Sequence, residues 1–255
     1  MGIMEYMISQ RQSALLVVII NEYTKSAEPV GSKYLEKSGF FGLSSATIRA
    51  EMCELEGRGY LAQLHTSSGR VPTARAYRYY VDNLNRRNTE GSGDKELGSG
   101  YKAKIKIAIH GAGDEPKEIN RAVARVLSEL SDNLVITNIA EEDEFYKIGL
   151  SSLFELPEFH EFGRAFRLTS FFEEFENLFS QISRDFFQDD LRVFIGRENP
   201  VKDIKDETVM FARYNLPHDH TGSLTLVGPI RMDYAKNIGL IKYATQELNK
   251  LSKEI

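Results

Sequence analysis

The sequence of 255 residues contains no tryptophan and one cysteine, Cys53. A single thiol excludes an intrachain disulfide framework and fits a reducing compartment. No apolar run approaches the roughly 20 residues that a bilayer-spanning helix needs. The opening Met1-Gly2-Ile3-Met4-Glu5 lacks the basic segment and cleavage site of a secretory signal, so a cytoplasmic location is expected, with Met7 as an alternative start. Histidines are few: His110 and His160 stand without a serine or cysteine nucleophile in a recognisable setting. His218-Asp219-His220 resembles a fragment of a metal site, yet Pro217 before it and Thr221-Gly222 after it mark a turn between strands. No Gly-Lys-Ser/Thr phosphate loop occurs. The expectation is a chain with no catalytic residue, no metal and no cofactor, and not an enzyme.

An excess of positive charge is also missing: the net charge is −5. Its distribution is uneven, however. Up to Asn88 there are 11 Lys and Arg against 8 Asp and Glu, and the remainder holds 21 against 29. A modestly basic head on an acidic body concentrates an attractive field for an anionic polymer on the head. Between the two, Asn88 to Gly100 is rich in glycine and serine around a charged patch, the composition of a flexible linker. Three segments are therefore expected: a domain over 1–87, a linker over 88–100 and a second domain over 101–255.

The head carries the clearest local pattern. A first helix is predicted from the cap Ser9 to about Ser26, with Leu15, Leu16, Ile19, Ile20 and Tyr23 at helical spacing. Glu28-Pro29 stops it, because the residue before proline is pushed out of the helical region. A short helix with Tyr34 and Leu35 follows and ends at Ser38-Gly39. A third opens at Leu43-Ser44-Ser45, either serine being able to cap it, and its open N-terminus suits a phosphate. Ile48, Met52 and Leu55 form its core stripe, whereas Ala46, Arg49, Ala50 and Cys53 face outward, with Ser45 and Thr47 at the entrance. Small residues around one arginine let a helix approach a DNA groove, where arginine reads a guanine edge.

A hairpin comes next. Tyr60 to His65 reads as a strand, Thr66-Ser67-Ser68-Gly69 as a turn, and Arg70-Val71 as the return before Pro72. Thr73 caps a fourth helix with Tyr77, Tyr80, Val81 and Leu84 inside. Tyr77, Arg78 and Tyr79 suit packing plus one phosphate contact. The whole is a winged helix-turn-helix pattern. Its expected DNA contacts are Ser45, Thr47 and Arg49 in the major groove, and Ser32, Lys33, Ser68, Arg70 and Arg78 on the backbone. Ser44, His65 and Thr73 complete the set.

Four runs in this head resemble the HrcA family of bacterial heat-inducible transcription repressors: Glu28-Pro29-Val30-Gly31-Ser32, Leu43 to Arg49, Ser68 to Thr73, and Tyr77 to Asp82. Gly228-Pro229-Ile230-Arg231-Met232-Asp233-Tyr234 is similar to the family's C-terminal signature, and Ser152 to Phe159 is a weaker match. The resemblance implies a repressor that binds double-stranded DNA at an inverted-repeat operator of chaperone genes as a homodimer. It also implies a chaperonin partner that keeps the repressor active, and no membrane partner. The chain departs from the family pattern twice. Ala50 stands where the family usually has asparagine, and the family's inserted dimerisation domain is missing between Ile136-Thr137 and Tyr146-Lys147, where Glu141-Glu142-Asp143-Glu144 runs instead.

For the second domain the resemblance implies a GAF-like mixed α/β fold, giving an α+β chain overall. Helices are predicted over Pro116 to Leu130 and Thr169 to Phe187, and a last one capped by Asp233. Strands are predicted at Leu134 to Ile136, Leu191 to Gly196, Thr208 to Tyr214 and Ser223 to Val227. Lys104 to Ile109 alternates like a strand, while the resemblance points to helix nearby. Phe171, Phe172, Phe175, Phe179, Phe186 and Phe187 recur mostly at helical spacing, which favours core packing.

Overall fold

In the computed structural model, residues 8–39, 41–65, 68–89, 97–140, 142, 145–186 and 191–254 are described, without the side chains of 85–89, 177–178, 180–186 and 202. Thr66, Ser67, the centre of the expected linker, Phe187 and three of the four acidic residues at 141–144 lie outside them. The chain divides into two compact units, Met1–Ser92 and Gly93–Ile255. Helix is already present at both ends of the expected linker: α4 spans Ala74–Thr89 and α5 spans Ser99–Gly111. Asn88, Thr89, Ser99 and Gly100 therefore belong to helices and not to linker, because helical hydrogen bonding extends through the polar residues.

The first unit is built from α1 (Gln10–Ser26), α2 (Ser32–Lys37), α3 (Ser45–Gly57), the strands β1 (Leu61–Ala62) and β2 (Val71–Pro72), and α4. Ser9 caps α1 in a reciprocal box with Gln12, satisfying N–H groups that the first turn leaves open. The helix ends where Ala27 turns left-handed, its N–H donating to Tyr23 O. Leu15, Leu16, Ile19 and Ile20 are buried, as their spacing requires. Gly39 takes the left-handed conformation expected after α2.

The hairpin is shorter than its sequence suggests. Among the described residues, the two strands pair only Leu61 with Pro72 and Ala62 with Val71. A third backbone segment joins it: Val30 and Arg70 exchange both N–H···O bonds at 2.9 Å. Gly69 lies so close to this bridge that a Cβ would stand 2.4 Å from Val30 O. The corner after α1 and the hairpin are thus one small sheet.

The second unit has a five-stranded antiparallel sheet, ordered β4 (Phe145–Ile148), β3 (Leu134–Ile139), β7 (Thr221–Pro229), β6 (Glu207–Asn215), β5 (Leu191–Ile195). β4 was not foreseen from the sequence. β3 and β4 are neighbours paired from Val135–Ile148 to Asn138–Phe145, so their connection is short. β6 and β7 join through a turn in which His218 and Asp219 are both left-handed, the geometry of a tight hairpin and the place expected for this histidine pair.

Alternation sorts the strands between two layers. Leu134, Ile136, Val209, Phe211 and Val227 join the cluster formed by Phe171, Phe175 and Phe179 of α8 (Phe162–Phe186) with Leu153, Phe159 and Ile204. Phe171, Phe175 and Phe179 of that stripe are core and Phe172 packs against them, while the side chain of Phe186 lies outside those described. On the other face, Thr137 Oγ1 donates to Asn120 O of α6 (Pro116–Ser131), and Thr208 bonds to Tyr234 of α9 (Tyr234–Glu254). Tyr214 donates to Asn120 Oδ1, and full burial pushes its hydroxyl pKa up, keeping it a donor. Asp233 caps α9 through Lys236 N at 3.0 Å.

The segment from Lys104 to Ile109 lies within α5. Ile105 and Ile109 are buried one turn apart, whereas Ile107, between them, is 72% exposed. Their four-residue spacing fits a helix face, and the alternation with lysine was incidental.

A buried ion pair holds the start of β6 to α8. Arg164 of α8 donates from Nε and Nη2 to both carboxylate oxygens of Glu207 at 2.8 Å, and from Nη2 to Asp206 O at 2.7 Å. Glu207 is 3% exposed. Burial pushes its carboxyl up, and the Arg164 guanidinium opposes this.

Two stability predictions follow from these contacts. Gly69→Ala forces a methyl against Val30 O and should lower the stability of the first unit by about 1–3 kcal/mol, read from denaturant midpoints. An unchanged midpoint would mean that the Val30–Arg70 bridge shifts at little cost. Arg164→Ala leaves Glu207 buried without its partner and should cost about 3–5 kcal/mol at neutral pH. Because the folded carboxyl then titrates still higher, that penalty exists above the folded pKa and shrinks as pH falls into the carboxylate range. Melting the variant across pH 5 to 8 checks the sign. A penalty that grows on acidification would refute it.

Candidate nucleic-acid interface

The third helix is seated by its inner stripe. Ile48, Met52 and Leu55 are buried, and Ala46, Thr47, Arg49, Ala50 and Cys53 are exposed, as their spacing predicts. A polar inner edge was missed. Glu51 is buried and pairs with Arg11, and Gln12 Nε2 donates to Glu54 at 2.7 Å, fastening α3 to α1. The signal was present, since Glu51 lies three residues after Ile48 on the same face.

Ser44 is the cap of α3, its Oγ accepting from Thr47 N at 3.3 Å. The N-terminus is not open to a phosphate as expected. Glu36 of α2 places a carboxylate oxygen 2.9 Å from Ser45 N, so an internal anion already occupies one of the donors a phosphate would use. Ser32 Oγ lies 3.0 Å from Ser45 Oγ, which ties the starts of α2 and α3 together, and Ser44 Oγ lies 3.0 Å from Thr47 Oγ1.

The cations on this unit separate into two groups. Arg49 and Lys33 are exposed, with no ion-pair or hydrogen-bond partner among the described residues. Arg70 is otherwise engaged. Its side chain is 12% exposed, Nε donates to Glu56 at 2.8 Å, and Nη2 lies 3.9 Å from Cys53 Sγ. The expected backbone contact is therefore a clasp between hairpin and α3, because a carboxylate one turn beyond Cys53 meets it first. Arg78 lies 3.5 Å from Asp82, one turn along α4.

The polar side chains of the hairpin are likewise used within it. Ser68 Oγ accepts from His65 N and donates to His65 O, at 3.0 and 2.8 Å, leaving the His65 ring exposed at the tip. Thr73 Oγ1 donates to Gly59 O at 2.7 Å and accepts from Ala76 N at 3.4 Å, the capping role expected. Arg75 is an addition: its guanidinium sits 4.8 Å from the Tyr60 ring centre and donates to Arg58 O. Tyr79 is a packing residue, its hydroxyl donating to Ser13 Oγ at 2.9 Å.

Among the described residues no group of three or more His, Cys, Asp or Glu is arranged to hold a metal, and no helix is long and apolar enough to cross a membrane.

Comparison with known proteins finds relatives that span both units. The chain is 26% identical to the heat-inducible transcription repressor HrcA of Desulforudis audaxviator (strain MP104C), over 97% of this chain and 99% of that one. It is 27% identical to the protein of that name from Brevibacillus brevis (strain 47), over 96% and 98%. These relatives are named as transcription repressors and not as enzymes. The first alignment runs over 340 positions against 255 residues here, so at least a quarter of its positions have no residue in this chain. A crystal structure of a hypothetical protein at 2.2 Å resolution has the same fold, with a TM-score of 0.80, 18% identity and coverage of 97% of this chain and 99% of that one. Residues 99–238 match the model of the HrcA protein C-terminal domain, which is more than half of the chain. The chain belongs to the HrcA family.

Proposed function

We propose that this protein is a heat-inducible transcription repressor that binds an inverted-repeat operator of chaperone genes as a dimer, in the cytoplasm, and depends on a chaperonin for activity. Residues 1–87 act as a winged helix-turn-helix domain, and 101–255 as a GAF-like regulatory and dimerisation domain. The carrying observation is the outer face of α3. An unengaged arginine, Arg49, stands there among Ala46, Thr47 and Ala50, on a helix whose other side is locked into the core. Small neighbours permit close approach to base edges, and a free guanidinium supplies the readout.

Arg49, Thr47 and Ser45 read bases in this proposal, and Lys33, His65 and the serines near the helix starts contact the backbone. Arg70 and Arg78 act at one remove, by fixing the hairpin and α4. The short β3–β4 connection lies where the family's inserted domain would fall, so the dimer forms through another surface of the second unit. A head with only a few unengaged cations binds in a strongly salt-dependent way and gains affinity chiefly by pairing two half-sites.

The test is binding to an inverted-repeat chaperone-promoter duplex and to a scrambled one over a salt series. Wild type should prefer the operator, as a dimer. Arg49→Ala should remove about 1–3 kcal/mol of that preference. Equal weak binding to both duplexes, with and without chaperonin, would end the repressor reading. A separate variant probes the internal anion. Glu36→Gln should strengthen binding to operator and scrambled duplex alike by about two- to fivefold, the equivalent of about 0.3–1 kcal/mol at a helix terminus. Unchanged binding would show that no phosphate approaches Ser45.

A further inference from the structure

The second unit contains a cavity that the repressor reading does not use. It has a volume of about 560 Å³ and lies beside the β5–β6 connection, lined by Arg167, Arg197, Asn199, Asp203, Lys205 and Asp206. That volume is within the range of small-molecule sites, about 300–1,000 Å³.

The connection is pinned in place. The buried Asn199 amide donates from Nδ2 to Gly196 O, Ile204 O and Glu207 O at 2.9, 3.0 and 2.7 Å. Three carbonyl acceptors around one nitrogen fix which end of the amide is which. Asn199 Oδ1 is then left buried with no partner among the described residues. An unpaired buried oxygen is costly unless something donates to it.

The cations are also unevenly satisfied. Arg167 reaches Asp206 at 3.4 Å, whereas Arg197 and Lys205 are exposed and have no ionic partner among the described residues. Two cations and the Asp203 carboxylate, none with an ionic partner among the described residues, therefore line one cavity whose wall includes the pinned Asn199. Cations there attract an anionic group, and the exposed Asp203 carboxylate accepts from hydroxyl or amino donors.

We propose that this cavity binds a small phosphate-bearing metabolite that also carries hydroxyl groups. The phosphate lies between Arg197 and Lys205, and the hydroxyl groups donate to Asp203. A polynucleotide backbone offers the same phosphate chemistry, so the experiment has to separate the two.

Calorimetric titration of the full chain with ribose 5-phosphate, inorganic phosphate and ribose does so. Ribose 5-phosphate should saturate at one per chain and bind more tightly than inorganic phosphate, while ribose gives no saturable heat. Replacing both exposed cations, Arg197→Ala with Lys205→Ala, should weaken both phosphate ligands by about tenfold or more without changing the unliganded melting midpoint. Asp203→Asn should narrow the gap between ribose 5-phosphate and inorganic phosphate. Arg49→Ala should leave all three titrations unchanged. The proposal is overturned if neither phosphate compound saturates, if the double variant binds as wild type does, or if Arg49→Ala abolishes the heat, which would assign phosphate to the head instead.

Discussion

The pair of hydrogen bonds between Val30 and Arg70 holds together parts of the first unit that would otherwise be independent. It joins the corner after α1 to the return strand of the hairpin, and Gly69 permits the approach. From the same residue, the Arg70 guanidinium reaches Glu56 near the end of α3. Backbone and side chain of Arg70 together fix three elements relative to one another: the turn before α2, the hairpin and α3. A short hairpin with two paired residues on each strand has little stability of its own. Fastened on both sides, it can present a tip such as His65 at a defined place. That rigidity matters for recognition, because a base contact displaced by one ångström is a lost contact.

The second unit repeats this arrangement with different chemistry. Arg231, in the run from Gly228 to Tyr234, pairs with Glu158, in the run from Ser152 to Phe159. Both residues are largely buried, so the pair relates the β7–α9 junction to the short helices before α8. In each unit, then, sequence runs that carry the family resemblance are bonded to one another across a long stretch of chain. Much of what makes these runs recognisable is fold-holding. The outward residues of α3 at 46, 47, 49 and 50, which the proposed function assigns to DNA, take no part in these bonds.

The helices were legible because burial imposes a period that a linear sequence retains. Ser9, Ser44, Thr73 and Asp233 were legible as caps for the same local reason. Partners distant in sequence left no such trace. Arg70 looked like a phosphate contact because nothing near it in sequence announces Glu56, and Ser45 looked open because Glu36 returns from the preceding helix. The alternating lysines and isoleucines of α5 left strand and helix both open, because two different periods agree over six residues. β4 was unreadable for another reason: its four residues are all half-buried at a sheet edge, where neither alternation nor a continuous apolar run develops.

Charge pairing within the head bears directly on how it could discriminate among DNA sequences. Its excess of cations is small, and several of those cations are already matched by Glu56, Asp82 and Glu51. Glu36 further lowers the pull of α3 on any passing phosphate. Each pairing removes attraction that would act on all duplexes equally, while the outward Arg49 is left able to act on particular bases. A domain arranged this way gives up non-specific affinity and retains the selective part. In the proposed dimer, two half-sites bound at once would restore the affinity, since the second engagement is intramolecular and needs no stronger contact at either site. A monomeric head with these charges would be a weak binder of any DNA, so the proposed repressor would depend on dimerisation as much as on the residues of α3.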